Sequence, residues 1–114
     1  MKRILCAVCL CVALGYSPAF AGFWDGSKLA THWQEYKKFN NGAPYSNQSA
    51  DVYIGYIIGS VETGDLVYFS IPADAKVNQM CAIVGKWLED HPEEWNKSAT
   101  SLTIAALSKA FPLK

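Results

Sequence analysis

The sequence has no excess of charge of either sign, since 10 basic side chains balance 10 acidic ones over 114 residues. Binding to nucleic acid depends on a basic surface that displaces counterions from the phosphates, so the balance argues against a nucleic-acid partner. Disorder of the whole chain is also excluded, because 51% of the residues are hydrophobic and 13% are aromatic. The length allows a single domain.

The sequence also lacks a hydrophobic run long enough for a membrane span, which needs about 17–25 residues. Its longest apolar run, Ile4–Leu14, follows Lys2-Arg3 and precedes Ala19-Phe20-Ala21, whose alanines suit a signal peptidase site. This arrangement predicts a secretory signal over residues 1–21 with cleavage after Ala21. We therefore expect one exported domain over residues 22–114, with no membrane insertion after cleavage.

Cysteine becomes scarce once the predicted signal is removed. Cys6, Cys9 and Cys11 lie within the signal, so Cys81 alone remains and no internal disulfide can form. Cleavage also removes two basic side chains and no acidic ones, which leaves 93 residues with a net charge of −2.

Motifs of catalysis and cofactor binding are missing from the same region, which has no Gly-x-Ser-x-Gly, no phosphate-binding glycine loop and no Cys-x-x-Cys. Cys81 with His32 or His91 could form a nucleophile–base pair. Cys81 lies on an apolar stripe, however, where a free cysteine usually acts as a small buried hydrophobe. His32 and Glu35 lie one helical turn apart, but two ligands do not make a zinc site. We predict a protein that is not an enzyme, with no catalytic residue, cofactor or metal.

Three segments have apolar residues at helical spacing and are predicted helices: residues 27–39, 77–90 and 97–110. Ser27 is the predicted N-cap of the first and Asn96 that of the last. The apolar stripes comprise Leu29, Trp33 and Tyr36 in the first segment, Val77, Met80, Cys81, Val84, Trp87 and Leu88 in the second, and Ala99, Leu102, Ala106, Leu107 and Ala110 in the third.

A fourth segment, residues 52–71, allows two interpretations. Residues 52–61 are apolar on every side and rich in β-branched residues, and residues 66–71 follow a Glu-Thr-Gly-Asp turn, as in a β-hairpin of an α+β fold. The alternative is a buried helix in which Gly55 and Gly59 share one face and let a neighbour approach closely. Periodicity does not decide between them, and composition alone slightly favours the hairpin.

Four motifs occur in order from Gly55 to Pro112. They are Gly55-Tyr56-Ile57-Ile58-Gly59, Phe69-Ser70-Ile71-Pro72, Gln79 followed by Trp87-Leu88-Glu89-Asp90-His91-Pro92-Glu93, and Ala99 followed by Ala106-Leu107 and Phe111-Pro112. This ordered set resembles the Rap/Tai family, small exported immunity proteins of bacterial type VI secretion systems.

The resemblance implies an all-α bundle of about four helices. It also implies a periplasmic protein without enzymatic activity, a homodimer that binds and inhibits a peptidoglycan amidase effector. The alternative function is that of a periplasmic chaperone-like or envelope structural protein without a toxin partner. Candidate partner-binding residues are those on loops, where aromatic and acidic side chains would be exposed: Glu62, Asp65, Tyr68, Glu93, Glu94 and Trp95.

The departures from the family pattern affect stability. The positions of the family's two usual cysteines are occupied here by Ser70 and Leu113, so both members of one implied disulfide are missing. Loss of such a crosslink typically costs about 2–4 kcal/mol, and the fold must rely more on packing or dimerisation. Lys76 stands where the family often has a threonine N-cap, so the start of the helix over residues 77–90 should be weaker.

Overall fold

The computed structural model describes residues 23–42 and 48–114. These ranges contain four α-helices and no β-strand. The helices are α1 (Gly26–Asn40), α2 (Gln48–Gly64), α3 (Val77–Asp90) and α4 (Ala99–Ala110), with a 3-10 turn over Pro92–Glu94. The all-α prediction is confirmed. The predicted signal over residues 1–21 lies outside the described part of the chain.

The hairpin favoured by composition over residues 52–71 is wrong. Helix α2 covers the first part of that segment and packs against the other three helices. Tyr53 and Ile57 are fully buried in the shared core, and Ile54 and Val61 pack against it. Packing of this one broad face against three helices overrides the β-propensity of the branched residues. No helix in the described ranges is long and apolar enough to cross a membrane.

The core is built from the predicted stripes. All of their residues are buried except Val77, Trp87 and Ala110. Cys81 is a free cysteine that is completely buried, as predicted. Burial raises the pKa of its thiol to about 11, so the side chain stays protonated and acts as a small hydrophobe.

The predicted N-caps of α1 and α4 are both wrong. Asp25 caps α1, where its Oδ1 accepts from Lys28 N at 2.9 Å, and Ser98 caps α4 by accepting from Ser101 N at 3.2 Å. Asp25 and Ser98 pair through an isolated backbone bridge. That bridge holds both residues in the extended conformation that a cap requires, so it fixes where the two helices begin.

Helix α3 agrees with prediction at both ends. It ends at Asp90, two residues before Pro92. Lys76 precedes it without a side-chain cap, and its backbone N–H donates only a long bond of 3.5 Å to Gln79 Oε1. The start of α3 is therefore weakly capped, as the departure from the family pattern implied.

Candidate protein-binding surface

Three consecutive residues with large exposed apolar side chains lie in the turn that follows α2. Leu66, Val67 and Tyr68 are 76%, 58% and 52% exposed. We call residues 65–69 the apolar turn. Exposed apolar residues that are contiguous, rather than scattered singly, mark interaction surfaces.

The backbone of the apolar turn is fixed by its own hydrogen bonds. Leu66 N donates to Phe69 O at 2.7 Å, and the backbone N–H groups of Val67 and Tyr68 both donate to Gly64 O, at 3.0 and 2.9 Å. Leu66 adopts a left-handed conformation, with φ 66°, and no other non-glycine residue in the described ranges has a positive φ. This conformation costs a non-glycine residue about 1–2 kcal/mol, and such strain concentrates at functional sites.

The apolar turn is also anchored to the rest of the fold. Phe69 is completely buried and lies over Gly64, where a Cβ atom would come within 2.6 Å of Phe69 Cζ. Asp65 Oδ1 accepts from Ile71 N at 2.9 Å, and Ser108 Oγ donates to Tyr68 O at 3.1 Å. The exposed side chains therefore project from an ordered base, which lowers the entropy lost when a partner binds.

Close to this turn, Ser70 N donates to Phe111 O at 3.0 Å. The backbone after the apolar turn is thus held to the end of α4, near the two positions where the resemblance places the family's cysteines. Hydrogen bonds from Ser70 N to Phe111 O and from Ser108 Oγ to Tyr68 O connect these segments here without a covalent bond.

The predicted partner-binding residues near this turn have different environments. Glu62 is exposed on the last turn of α2, and Tyr68 is half exposed. Asp65 is partly buried, and its carboxylate is used in the bond to Ile71 N. Leu66 and Val67, the most exposed residues of the turn, were missed because an apolar run after Gly64-Asp65 is typical of a strand.

The other predicted partner-binding residues lie at the 3-10 turn. Glu93 is exposed, while Glu94 forms an ion pair with Lys97. Trp95 is half buried, packs against the core, and donates from Nε1 to Leu88 O at 2.8 Å. Trp95 therefore covers the core, with little surface left for a partner.

The structure does not bring the two predicted loops together. The 3-10 turn precedes the start of α4 in the chain, and the residues after it are held to the start of α1, since Gly26 N donates to Lys97 O and Ser27 N donates to Trp95 O. The apolar turn is held to the end of α4 through Ser108. The 12 residues of α4 separate the two loops by about 18 Å along the helix.

A groove of about 440 Å³ runs between α2 and α4 beside the apolar turn. Its lining carries no charged side chain and consists of Gly55, Tyr56, Gly59, Ser60, Thr63, Gly64, Tyr68, Thr100 and Ile104. A Cβ atom at Gly55 or Gly59 would meet nothing within 4 Å. The predicted close approach of a neighbour to these glycines therefore does not occur within the described part of the chain, and their face of α2 is open.

The two histidines considered as candidate catalytic or metal-binding residues take part in packing. His32 stacks on Trp24 with ring centroids 4.5 Å apart, and its Nδ1 lies 2.6 Å from Ser49 Oγ. His91 Nδ1 lies 2.7 Å from Trp87 O, so neither histidine pairs with Cys81. Among the described residues, no three histidine, cysteine or acidic side chains are grouped so that they could hold a metal ion.

Comparison with known proteins assigns this chain to a family. The family model of the Rap1a immunity proteins matches residues 25–113, which include all four helices, the apolar turn and the groove. A search of curated proteins finds no match. Immunity proteins of this kind are inhibitors of secreted effectors and not enzymes. The chain therefore belongs to the Rap1a immunity protein family.

Proposed function

We propose that the protein is a periplasmic immunity protein that binds and inhibits a peptidoglycan amidase delivered by type VI secretion, and that it acts as a homodimer. Family membership supports a cognate effector. The predicted signal over residues 1–21 would bring the chain to the compartment that contains peptidoglycan. The four ordered motifs resemble immunity proteins that neutralise amidases.

The apolar turn is the observation that carries this proposal. An inhibitor that blocks a cleft must present a projecting element that keeps its shape. The turn meets this requirement, since Leu66 and Val67 project from a backbone fixed by hydrogen bonds and by buried Phe69. Complete burial of a leucine or valine side chain contributes about 1.5–3 kcal/mol, so two such residues can supply much of the binding energy.

Substitution of Leu66 tests the turn without disturbing its backbone. Asparagine tolerates the left-handed conformation better than leucine does, so Leu66→Asn keeps the turn and removes its most exposed apolar side chain. We expect the variant to bind the effector at least about 30-fold more weakly. The measurement is titration of each variant against a purified candidate peptidoglycan amidase of type VI secretion, together with periplasmic co-expression scored by cell lysis and by complex formation in gel filtration.

Leu113→Asn is the matched control, because Leu113 is a half-exposed leucine in the C-terminal tail. The wild type and this control should protect the cells and form the complex. Continued lysis with the wild type, together with no complex, would reject the amidase as the partner. Full protection by folded Leu66→Asn would instead show that the apolar turn is not the contact.

A further inference from the structure

The carboxylate of Asp65 closes the apolar turn from the inside. Its Oδ1 accepts from Ile71 N at 2.9 Å, a bond between residues six positions apart that encloses Leu66, Val67 and Tyr68. Aspartate is short enough to bond backbone groups of its own turn, and an ionised carboxylate is a stronger acceptor than a neutral oxygen. The bond therefore joins the residue that follows α2 to the backbone that leaves the turn.

The far end of this bond is fixed to the core. Ile71 is partly buried and packs against the core cluster. Two residues earlier, Phe69 is completely buried and pairs with Asp65 through an isolated backbone bridge. The turn is thus held at two nearby points, by the buried ring of Phe69 and by the bond from Ile71, and the second point depends on the carboxylate of Asp65.

The left-handed conformation of Leu66 depends on this support. A non-glycine residue keeps a φ of 66° only where the surrounding structure holds it there. Without an acceptor at Asp65, the Ile71 N–H would lose its partner in a partly buried place, which costs free energy unless the backbone moves toward water. Such a movement would shift Phe69 O, the acceptor of Leu66 N, and would release Leu66 from its conformation.

We infer that Asp65 is a positioning residue of the apolar turn, which holds Leu66 and Val67 in the shape that the effector meets. The effector contacts these apolar side chains, and the negative charge of Asp65 is not needed for binding. Asp65 thus differs from the contact residue that its place in a loop predicted. The effect on binding rests on the proposed function, whereas the bond to Ile71 N is a property of the free chain.

Asp65→Asn and Asp65→Ala separate the acceptor from the charge. Asparagine keeps a side-chain oxygen that can accept from Ile71 N, and alanine does not. In the free mature chain, hydrogen exchange of Ile71 N–H measured by NMR should be at least about 10-fold faster in Asp65→Ala than in the wild type. The rate in Asp65→Asn should stay within about 3-fold of the wild type.

Binding of the effector is the second measurement, by titration against a purified candidate peptidoglycan amidase of type VI secretion. Asp65→Ala should bind at least about 10-fold more weakly than the wild type, and Asp65→Asn should stay within about 3-fold of it. Weak binding by a folded Asp65→Asn chain that still protects Ile71 N–H would show that the effector requires the charge, and would overturn the inference. This variant decides the question even if Asp65→Ala does not fold.

Asp74→Ala is the matched control, because Asp74 is an exposed aspartate between the apolar turn and α3. It should leave both the exchange rate and the binding at wild-type values. Unchanged exchange of Ile71 N–H in a folded Asp65→Ala chain would also overturn the inference. Absence of a complex with the wild type would count against the proposed function instead, since the exchange rates are measured without an effector and decide whether Asp65 holds the turn.

Discussion

At the scale of residues, one carboxylate links two helices. Glu89 on α3 accepts a hydrogen bond from Trp33 Nε1 at 3.0 Å and forms an ion pair with Lys37, both on α1. These bonds, from Lys37 first and then Trp33, hold the pKa of Glu89 below its usual value. The sequence shows Glu89 only as part of an acidic group with Asp90, because both of its partners lie far away along the chain.

The lowered pKa of Glu89 predicts a pH dependence of stability. A depressed pKa in the folded state contributes stability above the unfolded value of 4.5, and this contribution is lost as the pH falls through the lower folded value. Glu89→Gln should cost at most about 1 kcal/mol at neutral pH, because the pair is partly exposed. When the pH is lowered from neutral to below the folded-state pKa of Glu89, the free energy of unfolding in urea should fall less for Glu89→Gln than for the wild type.

Glu93→Gln is the matched control, since Glu93 is exposed at the 3-10 turn. It should show the pH profile of the wild type. If Glu89→Gln also followed that profile, the bonds from Lys37 and Trp33 would contribute nothing to stability.

At the scale of helices, local signals predicted most of the fold. The apolar stripe of α3 and Pro92 after it predicted both ends of that helix correctly. The starts of α1 and α4 were misplaced, because the cap positions depend on the bridge between Asp25 and Ser98, which are far apart in sequence. Helix α2 was ambiguous because its open face carries Val52, Gly55 and Gly59, so it lacks the polar face that makes a helix recognisable.

Two substitutions distinguish the observed N-cap of α4 from the predicted one. Ser98→Ala should destabilise the chain by about 1 kcal/mol, because Ser101 N loses its acceptor at the start of α4. Asn96→Ala, at the exposed position favoured by sequence, should change stability by less than about 0.5 kcal/mol. Urea unfolding followed by circular dichroism measures both, and a larger loss for Asn96→Ala would contradict the assignment of the cap.

At the scale of the whole molecule, the family was recognisable from ordered motifs, but the candidate protein-binding surface was not. The left-handed conformation of Leu66 is rare for leucine, so no sequence pattern signals it. The groove exists only because α4 packs beside the glycine face of α2. Tyr68 was predicted from its place in a loop and is half exposed, whereas Trp95, predicted for the same reason, packs against the core.

We propose that this chain inhibits an amidase by direct contact through the apolar turn, and one inhibition assay tests that contact. The assay is peptidoglycan digestion by a purified candidate amidase of type VI secretion, measured against increasing amounts of the mature chain. We predict complete inhibition at about one chain per enzyme, since the family acts through a cognate effector. The Leu66→Asn variant should need a clear molar excess over the enzyme to reach the same inhibition. Undiminished digestion at a large molar excess of the wild-type chain would show that the chain does not inhibit that amidase.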